Sequence, residues 1–196
     1  MAKGFLQTLG CLEPQSELTY CGPASLVTVL NSLRVDPGKI WKGSFRWYAP
    51  EMLADEEVLN DIKVDGIIFE KFIQLIPEDK VKVESFSASE SSFHEFKQAV
   101  VEMCSSSECL LITSYSRQVL RQSGDGHYSP IGAYHEETNS ILVLDVARYK
   151  YSPHWVSRSL LWAAMKAIDK ESGKSRGIPT RLPISGSDNN SQSKKC

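Results

Sequence analysis

Apolar residues at Leu26, Val27, Val29, Leu30 and Leu33 recur at helical spacing and predict a helix that opens near Cys21. Pro23 is expected at its first helical position, where a missing N–H costs nothing. Asp36-Pro37-Gly38 then marks a turn. The aromatic stretch from Trp41 to Tyr48 is loop-like, and its rings could line a groove or pack beneath a long loop. Pro50 to Leu59 and Asp65 to Ile76 predict two more helices, the second capped by Asp65. Val81 to Phe86 alternates as a strand does. Ser92 and Glu95 have capping-box spacing and open a helix through Phe96, Val100 and Met103.

The second half changes period. Cys109 to Tyr115, Gly126 to His135 and Ile141 to Val146 predict three strands, the last two joined by a turn at Glu136–Ser140. A helix follows over Ser159 to Ile168. Helices first and strands afterwards predict an α+β architecture with a site in the cleft between the two layers. The expected division is one domain over residues 1–170, then a Gly-, Ser-, Asn- and Lys-rich tail over 171–196 that is expected to be disordered.

Composition narrows the function classes. The 196 residues are 41% hydrophobic and 23% charged, ordinary globular values, with a net charge of −2. That balance gives no support for a nucleic-acid or anionic-membrane partner. No apolar run approaches the about 18 residues of a membrane span. The N-terminus is too short and too polar for a signal peptide. Five irregularly spaced cysteines fit a reducing compartment, so a cytoplasmic location is expected. Oligomeric state leaves no mark in the sequence.

Chemistry concentrates at Cys21. A thiol on the first turn of a helix feels the positive end of the peptide dipoles, which favours thiolate. Gln15, six residues upstream, could aim its amide at a developing oxyanion. A small buried structural cysteine is the competing reading. Among the four histidines, His127 stands out because it follows Gly124-Asp125-Gly126 at the mouth of a strand. If the turn centres near Glu137 and Thr138, cross-strand partners have numbers adding to about 275. His127 and Asp145 then lie within a rung or two of each other. Asp145 sits in an apolar strand where an unpaired carboxylate would be costly, and an imidazole N–H is a natural partner. Such a pair either orients a general base or is purely structural. His127 and His135, about 26 Å apart along an extended strand, cannot share a metal. Cys104 and Cys109 lack zinc-finger spacing, so no structural metal site is expected.

Gln15, Cys21, His127 and Asp145, in that order, resemble the set of a papain-like cysteine peptidase fold. More narrowly, the chain is similar to the phytochelatin synthases, the glutathione γ-glutamylcysteinyltransferases. The matching stretches are Gln15 to Leu33, Trp41-Lys42-Gly43 with Arg46-Trp47, Gly126 to Gly132, and Leu144 to Tyr151 through Pro153-His154-Trp155. The resemblance implies that Cys21 is the acylated nucleophile, His127 the general base and acid, Asp145 its orienting carboxylate and Gln15 part of the oxyanion hole. It implies two-stage transpeptidation: Cys21 displaces glycine from glutathione, and a second glutathione or a growing phytochelatin takes the γ-Glu-Cys group. Arg148 is the candidate for a substrate carboxylate, a structural salt bridge being the alternative. No organic cofactor is implied. Cd²⁺ or Zn²⁺ would act as activator, arriving as the glutathione thiolate complex. Hydrolysis of glutathione or its conjugates to γ-Glu-Cys is the alternative activity. The chain is shorter than family members on both sides of the matching region, and a truncated, impaired chain is the second alternative.

Overall fold

The structure, a computed structural model, describes residues 1–85, 87–176 and 180–183, the last four by their backbone. Two hairpins carry its sheet. β1 (Cys109–Ser116) pairs antiparallel with β2 (Gly126–His135), and β2 turns back into β3 (Ser140–Val143). β4 (His154–Ser157) adds to β3 and β5 (Thr180–Pro183) to β1, giving the antiparallel order β4-β3-β2-β1-β5. The turn sets the expected register: His135 faces Ser140 and Ala133 faces Leu142. At Gly132 the register slips by one, so that Ile131 faces Val143. A Cβ at Gly132 would lie 3.0–3.1 Å from Leu144 and from Phe5 of α1 (Phe5–Gly10), tighter than those neighbours accept without yielding. A bulge of this kind bends a strand and re-aims the residues beyond it. Past it Leu144 N–H still donates to the Pro130 carbonyl (2.9 Å), and Asp145 comes just beyond β3 rather than within a strand.

Both faces of the sheet are covered, which is why all eight residues of β1 are buried. Leu110, Ile112 and Tyr128 pack on one face with Leu26 and Leu30 of α2 (Cys21–Ser32). Leu111, Tyr115, Ile131 and Ile141 pack on the other with α5 (Phe93–Cys104) and α6 (Arg158–Lys166), through Phe96, Val100, Leu161 and Met165. The architecture is therefore α+β. The capping box forms as expected at α5: Ser92 Oγ accepts from Glu95 N–H, and the Glu95 carboxylate accepts from Ser92 N–H (2.7 Å). α2 goes further than its apolar stripe suggests, because all twelve residues are buried. Most of its polar side chains find partners, while Ser25 Oγ has none among the described residues. Thr28 and Ser32 hydroxyls donate to carbonyls one turn back, and Asn31 bonds both the N–H and the carbonyl of Tyr48. Tyr48 thus packs into the core while Trp41 and Phe45 of the same loop stay exposed.

Several elements differ from expectation. Cys21, not Pro23, is the first residue of α2; Pro23 comes third, still within the turn whose N–H groups need no helical partner. The helix expected over Pro50 to Leu59 is a 3₁₀ turn (Pro50–Met52) followed by the start of α3 (Glu56–Asp65). Asp65 ends α3 instead of capping the next helix, since Gly66 takes a φ of +84° that stops the helix, and α4 spans only Phe69–Gln74. Val81 to Phe86 forms no strand among its described residues, only single bridge residues at Val81 and Glu84; Phe86 lies outside the described residues. The tail expected to be disordered from residue 171 is in part ordered. Ser175 and Arg176 are buried, and Thr180–Pro183 pairs with β1 as an edge strand. The rest of that expectation, 177–179 and 184–196, lies outside the described residues. Among the described residues no helix is long and apolar enough to cross a membrane.

Candidate active site

The start of α2 is fixed from two sides. Tyr20 donates its hydroxyl proton to the Leu59 carbonyl (3.1 Å), and Gly22 lets the α3–α4 connection close in, since a Cβ there would sit 2.7 Å from Ile67 Cγ2. This places Cys21, 8% exposed, on a pocket of about 300 Å³. Leu18 and Thr19 form one lip. Gly126 and Tyr128 of β2 form the facing wall, with Tyr128 stacked on Phe72 at 4.7 Å between ring centroids. His127 lies between those two residues and is 4% exposed.

Asp145 is fully buried, and each of its oxygens is used. Oδ1 accepts from His127 Nε2, the Ala147 N–H and Arg117 Nη2, and Oδ2 accepts from Arg117 Nη1, all at 2.9 Å. A carboxylate only accepts, so His127 carries its proton on Nε2 and leaves Nδ1 free of Asp145, and the ring acts on the Cys21 thiol. Burial alone pushes the Cys21 thiol up. The charge and hydrogen bond of His127, the Tyr128 N–H and the charge of Arg117 outweigh it and bring the thiol below its ordinary value. Burial likewise lowers His127, but the Cys21 charge and the Asp145 contact raise it above the usual imidazole value. Asp145, raised by burial, is held well below the carboxylate range by His127 and Arg117. Cys104, buried with no such partners, is pushed up to about 12. The shifts at Cys21 and His127 have the direction of a thiolate–imidazolium pair.

The structure brings Cys21, His127 and Asp145 together. Gln15 is tied to the same strand end, its N–H donating to the Val146 carbonyl (3.0 Å), but its amide is not free. Nε2 lies 2.8 and 2.9 Å from the Glu17 and Leu18 carbonyls and 3.1 Å from the Tyr149 hydroxyl, and Oε1 is buried without a partner among the described residues. Arg148 is exposed and makes no ion pair among the described residues; it does not line the pocket. The sequence reading did not foresee Arg117 or Arg176. Arg176 is 7% exposed and lines the pocket, with Nη2 2.8 Å from Asp125 and 3.3 Å from Asp169 and with Nε unpartnered among the described residues. One signal for Arg117 was present: a buried carboxylate offers about four acceptor sites, more than one imidazole N–H fills. Among the described residues no three His, Cys, Asp or Glu side chains gather as a metal-ligand group.

Gly126 makes room for Arg176, because a Cβ there would lie 1.9 Å from Nη1. Gly126→Ala is therefore expected to displace the guanidinium from the pocket and leave Cys21 and His127 in place. One charge-assisted hydrogen bond is worth about 1.5–3 kcal/mol, so KM should rise roughly 10- to 100-fold with kcat less affected. An unchanged KM would show that Arg176 does not meet substrate.

A thiol at a helix start, an imidazole beside it and a buried carboxylate behind the imidazole make the arrangement of cysteine-nucleophile acyl transfer. The family model described as phytochelatin synthase matches residues 1–178, and the chain belongs to that family. It is 47% identical over 175 residues to glutathione gamma-glutamylcysteinyltransferase 3 of Lotus japonicus, covering 89% of this chain and 36% of that protein. To glutathione gamma-glutamylcysteinyltransferase 2 of Arabidopsis thaliana it is 46% identical, over 90% of this chain and 39% of the relative. The Schizosaccharomyces pombe glutathione gamma-glutamylcysteinyltransferase is 41% identical over 87% of this chain and 42% of its own length. The chain thus spans well under half the length of these relatives.

Proposed function

We propose that the chain is a papain-like cysteine acyltransferase domain that makes phytochelatins from glutathione. The observation that carries this is the set Cys21, His127 and Asp145, with His127 Nε2 2.9 Å from Asp145 Oδ1 and Cys21 on the pocket that Arg176 also lines, in a chain of this family. The Cys21 thiolate attacks the carbonyl carbon of the Cys–Gly amide. The Cys21 main-chain N–H, which has no partner inside the helix, meets the oxyanion. Gln15 joins it once one of its two carbonyl contacts is exchanged. Imidazolium Nδ1–H of His127 protonates the departing glycine amine, leaving a γ-Glu-Cys thioester on Cys21. His127, now neutral, takes a proton from the amine of a second glutathione, whose nitrogen displaces the Cys21 thiolate. Arg176 suits the α-carboxylate of the γ-glutamyl head and Asp125 or Asp169 its ammonium, while the exposed Arg148 is the candidate for a further substrate carboxylate. Cd²⁺ or Zn²⁺ enters as part of the substrate, bound by glutathione thiolates.

Incubation with glutathione and Cd²⁺ should release one glycine for each γ-Glu-Cys group transferred, with (γ-Glu-Cys)₂-Gly as the first peptide product, read by mass spectrometry. Release of glycine with free γ-Glu-Cys alone would make the chain a hydrolase. No glycine release would overturn the reading.

A further inference from the structure

Behind Asp145 the hydrogen bonds continue outward, and their direction is fixed at every step. Arg117 can only donate, so Gln122 receives it through Oε1. The Gln122 amide hydrogens then face His154 Nε2 at 3.0 Å, and that nitrogen must accept. His154 Nδ1 lies 2.9 Å from the Ser152 carbonyl, which also only accepts, so the single ring proton sits on Nδ1. Every donor meets an acceptor only when His154 is neutral. A second proton on Nε2 would set N–H against NH₂ and push Gln122 off Arg117.

Among the described residues the rest of the surroundings offers no substitute partner. Tyr151 lies beside the His154 ring at 6.4 Å, and its own ring carries the Arg117 guanidinium at 4.8 Å. Its hydroxyl is engaged with Ser123. β3 presents Val143 opposite His154. Arg117, with Asp145 on its far side, is the charged group that faces His154 through Gln122.

We propose that Gln122 and His154 are positioning residues that clamp Arg117 against Asp145, and that the clamp holds only while His154 is neutral. Through it, acid would loosen the support of His127 from a half-buried histidine that touches neither Cys21 nor the pocket. The inference rests on the catalytic set Cys21, His127 and Asp145 but not on the identity of the substrate.

Site-resolved alkylation of Cys21 by iodoacetamide, followed from acid to alkaline pH, reads the clamp without substrate. His154→Leu removes the acceptor, and loss of one hydrogen bond should slow alkylation about fivefold and lower kcat with KM unchanged. His154→Gln places a carbonyl where Nε2 accepted, so it should restore the rate. Gln122→Glu accepts from both Arg117 and a protonated His154, and should keep Cys21 reactive further into acid. ¹⁵N shifts of the ring should show the Nδ1–H tautomer. An Nε2–H tautomer, or His154→Leu matching wild type in alkylation and kcat, would overturn the proposal. A His154→Leu defect that His154→Gln fails to rescue would overturn it too, and would make the contact merely structural. If alkylation follows the expected pattern while glutathione is not turned over, the clamp stands and the substrate reading falls.

Discussion

Cys21→Ser is expected to end both glycine release and peptide formation, with a loss of roughly 10⁴-fold or more, since the oxygen that replaces sulfur stays protonated beside the imidazole. His127→Ala should be comparably damaging, because thiolate formation and protonation of the leaving amine both pass through one ring. The pH dependence is set by the directions of the two shifts. With the thiol lowered and the imidazole raised, the ion pair forms as pH rises through the lowered thiol value. It is lost as pH rises further through the raised imidazole value. Iodoacetamide should therefore modify Cys21 well below the pH at which Cys104, pushed up to about 12, reacts. Alkylation of Cys21 and Cys104 at equal rates, or substantial turnover by Cys21→Ser, would refute the assignment of the nucleophile.

Arg117→Met should cost the most stability. Arg117 and Asp145 are 4% and 0% exposed, and removing one partner leaves a buried carboxylate with half its contacts. Breaking a buried pair in this way costs about 3–5 kcal/mol, a fall in Tm of roughly 6–20 °C for a chain of this size. Arg117→Lys should recover only part of it, because an ammonium cannot span both oxygens. The sign of the acid dependence is also set. Asp145 is depressed in the folded protein, so the stability it contributes is fully present above the ordinary aspartate value of about 3.9. It is lost as pH falls through the lower folded value. Arg117→Met raises that folded value and moves acid unfolding to higher pH. A Tm within a degree or two of wild type would show that the pair contributes nothing net.

What the sequence could show was local. The apolar spacing of Leu26 to Leu33 marked α2, and with it the thiol at a helix start. Ser92 and Glu95 marked the opening of α5. Alternation and one turn set the register of β2 and β3 near the turn, and the slip at Gly132 completes the approach of His127 and Asp145. The Pro50–Ile76 segment was misdivided because apolar spacing persists across Gly66, whose positive φ ends α3. β4 was missed because four residues are too few for alternation to register.

The sequence by itself brought Cys21, His127 and Asp145 forward as candidates, since Cys21 opens a helix, His127 sits near the start of a strand and Asp145 lies just past another, all placed by short-range rules. Only the tertiary structure decided what surrounds them. Arg117 reaches Asp145 across 28 residues, and Arg176 reaches Asp125 across 51, from a segment whose composition suggested disorder. The Gln15 amide, aimed from sequence at an oxyanion, also meets carbonyls of its own loop. Periodicity encodes which face of an element is buried but not which distant side chain meets it there. Where burial leaves a charge or an amide short of partners, packing chooses among all the donors in the chain, and that choice is made only when the layers close.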